Sequence, residues 1–272
     1  MKLSISNIAW DIPIDAFIYP LLPKYGYRWV EIAPKKYISD IRNPDIKEIE
    51  TLNHLLKKYN LSIPAFQALL FWENNLSLFA SDYSRKSLEE YMRCVIDLAE
   101  KLDTKVLVFG SPKNRIVPLD MNIEEAWTIA KDFFSNIWGY AHDHGVIIGL
   151  EANPPAYGGN FITNTYEAAH LVEEVANPWF RLHIDAGTLI FQEENLGEIF
   201  EKYQNIICHY HVSQPSLMHF GDSIHEKHEA FARVLREKKY KWWVSIEMLV
   251  KEEEGKKEII EKSLERVSDI YF

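Results

Sequence analysis

Val146-Ile-Ile-Gly-Leu-Glu151, Arg181-Leu-His-Ile-Asp185, Ile206-Ile-Cys-His-Tyr-His211-Val and Trp243-Val-Ser-Ile-Glu247 are four short, largely apolar runs, each carrying a potential metal ligand at or near its end. The four residues are 34, 26 and 36 positions apart (151 to 185, 185 to 211, 211 to 247), about the length of one strand, one helix and two loops. Strand-like runs also occur near Leu3–Asn7, Trp29–Ala33, Ser62–Gln67 and Lys105–Gly110, which makes eight in 272 residues. That rhythm implies repeated strand–helix units. Amphipathic helical patterns fill the intervals. The clearest is Arg85–Leu102, with Leu88, Met92, Val95, Ile96, Ala99 and Leu102 on one stripe. Asn122 with Glu125, and Asn164 with Glu167, have capping-box spacing at expected helix starts.

Alternating strands and helices form parallel sheets, and eight units of this size are expected to close into a single (β/α)8 TIM barrel spanning residues 1–272. An open doubly wound sheet would carry a glycine-rich turn after its first strand, where this chain has Ile8-Ala-Trp-Asp11. The four strand-end residues provide a second argument. In a flat sheet the fifth and eighth strands lie roughly 14 Å apart, too far for one ion with bonds of about 2.1 Å. A closed barrel turns them toward one axis. Side-chain parity agrees. Leu182, Ile184, Val244, Ile246 and Met248 fall on the helix-facing side, and His183, Asp185, Ser245 and Glu247 on the inner side.

With 47% hydrophobic residues the chain has ample material for a core, and no window approaches the ~20 apolar residues of a membrane span. No signal-peptide-length apolar stretch follows Met1, and two cysteines make no disulfide framework, so the expected location is cytoplasmic. A net charge of −10 argues against a nucleic-acid partner. The oligomeric state is not fixed by the sequence, a homodimer being one option.

Glu151, Asp185, His211 and Glu247 offer three carboxylates and an imidazole. This set suits one divalent metal ion, Mn²⁺ first, with Mg²⁺, Co²⁺ or Zn²⁺ compatible. The alternative is an interior ion-pair network around Arg181 or Arg28, but converging buried carboxylates are costly without a counter-ion. His183 and His209 lie one layer deeper and are expected to hydrogen-bond inside the barrel, with Glu31 as partner to a histidine or to Arg181. Candidate substrate contacts are Asn153 and Tyr157 after Glu151, and Lys113 and Arg115 after the fourth strand. Trp10 and Phe66 near strand ends, and His219 after the seventh strand, complete the set. The acidic run Glu252–Glu254, with no glycine before Gly255, does not favour a phosphate site after the eighth strand.

These strand-end ligands, with Glu151-Ala-Asn-Pro154, His183-Ile-Asp-Ala-Gly187 and Ser245-Ile-Glu-Met248, resemble the xylose isomerase-like barrel superfamily. That group includes sugar-phosphate isomerases and epimerases, ketose 3-epimerases and an endonuclease branch. The resemblance implies a metal-dependent isomerase or epimerase of a sugar-like hydroxy-carbonyl compound, with Glu151 and Glu247 both ligating metal and exchanging protons. Ketose epimerases carry a histidine three residues after the Asp ligand and an arginine six after the His ligand, where this chain has Thr188 and Leu217. The endonuclease branch needs extra histidines on early strands, and only His54 precedes residue 142. A lyase or dehydratase of a polyol or hydroxy acid on the same ligands, drawing an acid from His219, His225 or Lys113, is an alternative. A non-catalytic sugar-binding barrel is another.

Overall fold

Backbone pairing decides which side chains reach the interior. In the computed structural model, which describes residues 1–251 and 254–272, eight strands belong to one parallel sheet. They are β1 (Lys2–Ser6), β2 (Trp29–Glu31), β3 (Ala65–Phe66), β4 (Val106–Phe109), β5 (Ile147–Glu151), β6 (Phe180–Asp185), β7 (Ile207–Ser213) and β8 (Trp243–Glu247). Their order is β2-β1-β8-β7-β6-β5-β4-β3. Parallel bridges Trp29 to Ser62 and Ile32 to Phe66 close the remaining gap, with Val30 N donating to Ser62 O at 3.0 Å and Gln67 N to Ile32 O at 3.0 Å. The result is a single closed (β/α)8 barrel. Its third strand is shorter than the run Ser62–Gln67 suggests. Pro64 sits inside that run and has no N–H to give the ladder. Glu252 and Glu253 of the acidic run lie outside the described residues.

The outer layer comprises α1 (Asp15–Leu21), α2 (Ile46–Lys58), α3 (Asp82–Lys101), α4 (Ile123–Asp143), α5 (Thr165–Val175), α6 (Ala186–Phe191), α7 (Leu196–Tyr203), α8 (Lys227–Glu237) and α9 (Lys256–Tyr271). The long amphipathic stripe begins three residues earlier than its periodicity implies, because Ser81 Oγ caps α3 by accepting from Ser84 N at 3.1 Å. Asn122 accepts from Glu125 N at 2.8 Å and Asn164 from Glu167 N at 2.9 Å. Glu167 reaches back past the cap itself, accepting from Thr163 N at 2.7 Å. No helix among the described residues is long and apolar enough to cross a membrane.

Parity is obeyed. Leu182, Ile184, Val244, Ile246 and Met248 join the large core between strands and helices. A separate small cluster, Ala65, Val106, Val108, Cys208 and Trp243, fills the lower barrel. Cys208 enters it through an irregularity. Leu182 pairs with Ile207 but His183 with His209, so β7 carries one extra residue there. Gly149 on β5 makes room, since a Cβ at that position would stand 3.1 Å from Cys208 Sγ.

In the outer core Phe134 stacks on Phe180 with ring centroids 4.4 Å apart and meets Phe109 edge-on at 5.3 Å. Phe134→Ala removes both contacts from a fully packed site. The expected loss of stability is about 3–5 kcal/mol, read as a lowered urea midpoint with an unchanged slope.

Candidate metal centre

Glu151, Asp185 and Glu247 are the last residues of β5, β6 and β8. His211 stands two residues before the end of β7, where the register pairs it with Asp185 while Ser213 pairs with Glu247. Inward parity at the C-terminal mouth therefore brings the four together. One donor atom from each lies within 4.8 Å of those of the other three.

Asp185, Glu151 and His211 are held from behind. Asp185 Oδ1 accepts from Thr188 N at 2.6 Å as the cap of α6, and Oδ2 accepts from Ser213 Oγ. Ser213 Oγ in turn accepts from Gly187 N at 2.8 Å. Glu151 Oε1 accepts from Asn153 Nδ2 at 3.1 Å. Arg115 Nη2 fixes that pair from below, donating to Asn153 Oδ1 at 2.8 Å and Glu151 O at 2.9 Å. Gly110 has no side chain because Glu151 Oε2 occupies the place its Cβ would take.

His211 lies between two carboxylates. Its Nε2 faces Glu31 Oε1 and Oε2 at 3.0 and 3.1 Å. Glu247 Oε2 is 3.2 Å from Nδ1, yet Nδ1 has no aligned hydrogen-bond partner among the described residues. His209 Nε2 also meets Glu31, at 3.3 Å, so the partner of Glu31 is a pair of histidines. Arg181 is elsewhere, donating to Asn205 O at 2.6 Å. His183, expected to hydrogen-bond within the barrel, packs edge-on against His211 with centroids 4.2 Å apart. Neither of its nitrogens has a hydrogen-bond partner among the described residues.

Electrostatics follow from this packing. Burial, reinforced by Glu247 and Asp185, pushes the Glu151 carboxyl well above its usual range. Burial and Glu247 also raise Asp185. His211 is buried, which opposes its charged form, but Glu31 and Glu247 together hold its pKa well above the ordinary value. Burial, with His211 and His209 nearby, keeps His183 neutral. Glu31 is equally buried, yet the imidazoles of His211 and His209 hold it well below the carboxylate range.

The residues present fit a divalent ion. Three carboxylates, buried at Asp185 and Glu247 and half-buried at Glu151, repel one another, and the one imidazole among them turns toward them a nitrogen with no aligned hydrogen bond. Glu151, Asp185, Glu247 and Nδ1 of His211 would hold the ion, and the Glu31 contact on Nε2 is the usual outer support of a ligating histidine.

A cavity of about 210 Å³ opens directly over these carboxylates. Asn153 and Tyr157 line it, as do Gln67, Gly110, Ser111 and Leu217. Tyr157 Oη accepts from Ser216 N at 3.1 Å. Other sequence candidates lie elsewhere. Phe66 faces the outer core, and its neighbour Gln67 takes the inward position that β3 parity assigns. Trp10 is buried, its Nε1 donating to Asp15 Oδ1 at 2.7 Å. Arg115 is only 1% exposed and props the β5 loop from inside, so it does not stand at the rim as a substrate contact. Lys113 and His219 line two flanking hollows. Gln67, Gly110, Ser111 and Leu217 were not singled out by sequence reasoning. Inward parity at the ends of the third and fourth strands was the available signal for the first two.

A profile of the family described as xylose isomerase-like TIM barrel matches residues 21–270. A sequence search of curated proteins finds no significant match. Solved structures share the shape. D-psicose 3-epimerase with D-tagatose from Clostridium cellulolyticum H10 aligns at TM-score 0.79, covering 100% of this chain and 99% of that one at 14% identity. A D-tagatose 3-epimerase-like protein gives 0.72 over 99% of both chains at 22% identity. An AP endonuclease, family 2, from Brucella melitensis gives 0.73 over 91% and 93% at 18% identity. At such identities the likeness is one of fold.

Two outcomes test the centre. Glu31→Gln keeps the shape but weakens the clamp on His211, and Mn²⁺ affinity is expected to fall by roughly 10–100-fold in calorimetric titration while the far-ultraviolet dichroism is unchanged. Unaltered affinity would free His211 from dependence on Glu31. The raised proton affinities of Glu151, Asp185 and His211 set protons in competition with a metal ion. Affinity should therefore rise as pH increases above the ordinary imidazole value of 6.5, with protons released into the buffer. A flat profile between about pH 6 and about pH 8 would contradict a raised His211.

Proposed function

The chain belongs to the xylose isomerase-like TIM barrel family, and from that premise we propose that it is an isomerase or epimerase of a sugar or sugar-like hydroxy-carbonyl compound, dependent on one divalent metal ion. The observation that carries this reading is the convergence of three carboxylates and His211 Nδ1 beneath a polar-lined cavity. Its volume of about 210 Å³ is below the ~300 Å³ lower end of drug-sized pockets, as suits a small polyol. Relatives of the same shape that are named as ketose 3-epimerases support the reading. The endonuclease name suits it less, because the early strands supply no histidine and His54 lies on α2.

A bound dication would polarise a carbonyl and the adjoining hydroxyl, and so stabilise the enediolate left when the α-proton departs. Removing and returning that proton falls to Glu151 and Glu247. They rise from β5 and β8, with two strands between them, and so approach the cavity from different sides. Burial and neighbouring carboxylates favour the protonated form of Glu151, which suits a group that must hold a proton between steps. Asn153 and Arg115 keep its carboxylate in place. Gln67, Asn153 and Tyr157 provide polar groups over the cavity to orient hydroxyls.

A lyase would need a further acid. None of the candidates His219, His225 and Lys113 lines the cavity over the carboxylates. The cytoplasmic setting stays part of this proposal and accords with the free thiols Cys94 and Cys208.

Incubation of a panel of ketoses with the Mn²⁺-loaded protein in D₂O should introduce deuterium at the carbon beside the carbonyl, with no change in mass beyond the isotope. A panel without exchange would overturn the isomerase reading, and loss of water from a product would replace it with the lyase. Glu151→Gln and Glu247→Gln each keep an oxygen donor but lose the base. Each is expected to retain measurable Mn²⁺ binding while turnover falls by ~10²–10⁴-fold. Near-normal activity in either metal-loaded variant would remove that glutamate from proton transfer.

A further inference from the structure

The cavity over the carboxylates continues sideways. A second hollow of about 350 Å³ joins it, and Ala68, Ser111 and Pro112 line both. Its walls include Phe71 and Trp72 from the loop after β3, with Asn74 and Lys113 at its edge. Phe71 is 58% and Trp72 65% exposed, and their rings meet edge to face with centroids 4.3 Å apart.

The loop that presents this pair is fastened down. Glu73, the next residue, is held by Lys35 and by Arg42 at 3.3 Å. Asn114 Nδ2 donates to Glu73 O at 2.9 Å and to Leu76 O at 2.7 Å, joining the loop to the one after β4. Ala68, Trp72 and Ser111 sit at φ of 51°, 68° and 49°, a left-handed conformation costly for non-glycine residues. Such strain persists where surrounding structure imposes it, and it concentrates at binding sites. The protein thus holds two large aromatic faces in water, rigidly, beside a cavity sized for one small polyol.

We infer that the Phe71–Trp72 shelf is a second subsite, and that the preferred substrate is a ketose bearing a second sugar ring. This rests on the sugar reading of the carboxylate cavity. The C–H face of a pyranose is apolar and flat enough to lie on an aromatic ring, while its rim of hydroxyls needs donors and acceptors. Asn74 and Lys113 provide those at the edge of the shelf. The inner cavity takes the reacting ketose, and the shared wall of Ala68, Ser111 and Pro112 is where the glycosidic link passes.

The test uses D-fructose and glycosyl-fructoses linked through O1, O3, O4, O5 or O6, with the full chain loaded with Mg²⁺ to allow proton NMR. At least one glycosyl-fructose should bind ~10-fold more tightly than D-fructose, with saturation transfer to both of its rings. In Trp72→Ala that preference should fall to near unity, and transfer to the outer ring should vanish. Failure of every glycosyl-fructose to exceed D-fructose, or a preference that survives both Phe71→Ala and Trp72→Ala, would overturn the subsite. A dimer in sedimentation that Trp72→Glu dissociates would also overturn it, assigning the shelf to a second copy of the chain. Deuterium exchange separates the two readings. Tight binding over both rings without exchange would sustain the subsite and remove the isomerase, whereas exchange on D-fructose with no gain from a second ring would do the reverse.

Discussion

Glu31 rises from β2 into a fully buried position and meets the imidazoles of His209 and His211, residues almost two-thirds of the chain away. A carboxylate so far from water costs several kcal/mol unless it is paired and hydrogen-bonded. The two histidines meet that need, and in doing so they tie the early strands to the seventh across the barrel axis. Contacts of such sequence separation carry a large loop-closure cost and slow folding. The same bond orients His211. With Nε2 committed to Glu31, Nδ1 is the nitrogen left for the mouth of the barrel, where Asp185, Glu151 and Glu247 end their strands. The geometry of the candidate metal centre thus depends on a contact one layer beneath it.

Space for that centre comes from missing side chains and strained backbone. Gly110 leaves room for the Glu151 carboxylate, and Gly187 for Asp185 and Ser213, since a Cβ there would stand 3.2 Å from both. Ala68, Trp72, Ser111, Ser216 and Leu217 all adopt positive φ, and all line the inner cavity or the hollows joined to it. In the lower barrel, by contrast, the small cluster of Ala65, Val106, Val108, Cys208 and Trp243 fills the interior with apolar groups. The barrel is thus packed at its base and polar at its mouth.

This division explains what could be read from the sequence. Strand rhythm and parity located the eight strands, the helix-facing aliphatics and the inward ends of β5, β6 and β8, because a period of two is imposed by the backbone itself. Applied at the third strand, the same rule favours Gln67 over Phe66 as the inward residue. Loop geometry has no such period. Arg115 read as a rim cation, but its guanidinium turns inward to the carbonyls of Glu151 and Ile162, and only the folded path of the β5 loop puts those carbonyls within reach. Trp10 read as an aromatic at a strand end, yet Asp15 draws its indole N–H into a buried hydrogen bond. The left-handed residues of the cleft are ordinary Ala, Ser, Leu and Trp, so no glycine marked them.

Two glutamates of the barrel interior, Glu31 fully buried and Glu151 half-buried, show how position sets chemistry. Burial raises the pKa of both Glu31 and Glu151, but their neighbours differ. Glu31 has imidazoles at 3.0–3.3 Å and stays ionised. Glu151 has Glu247 and Asp185, and the added repulsion makes protonation easier still. A dication would relieve that repulsion at the upper layer and leave Glu31 as it is. It follows that the two glutamates are not interchangeable. Glu31 is a fixed negative charge against His211, and Glu151 is the one whose surroundings favour a proton, as the proposed role in proton transfer requires. The pushing apart of like groups by unlike surroundings is how one barrel keeps one glutamate ionised and favours the protonated form of another.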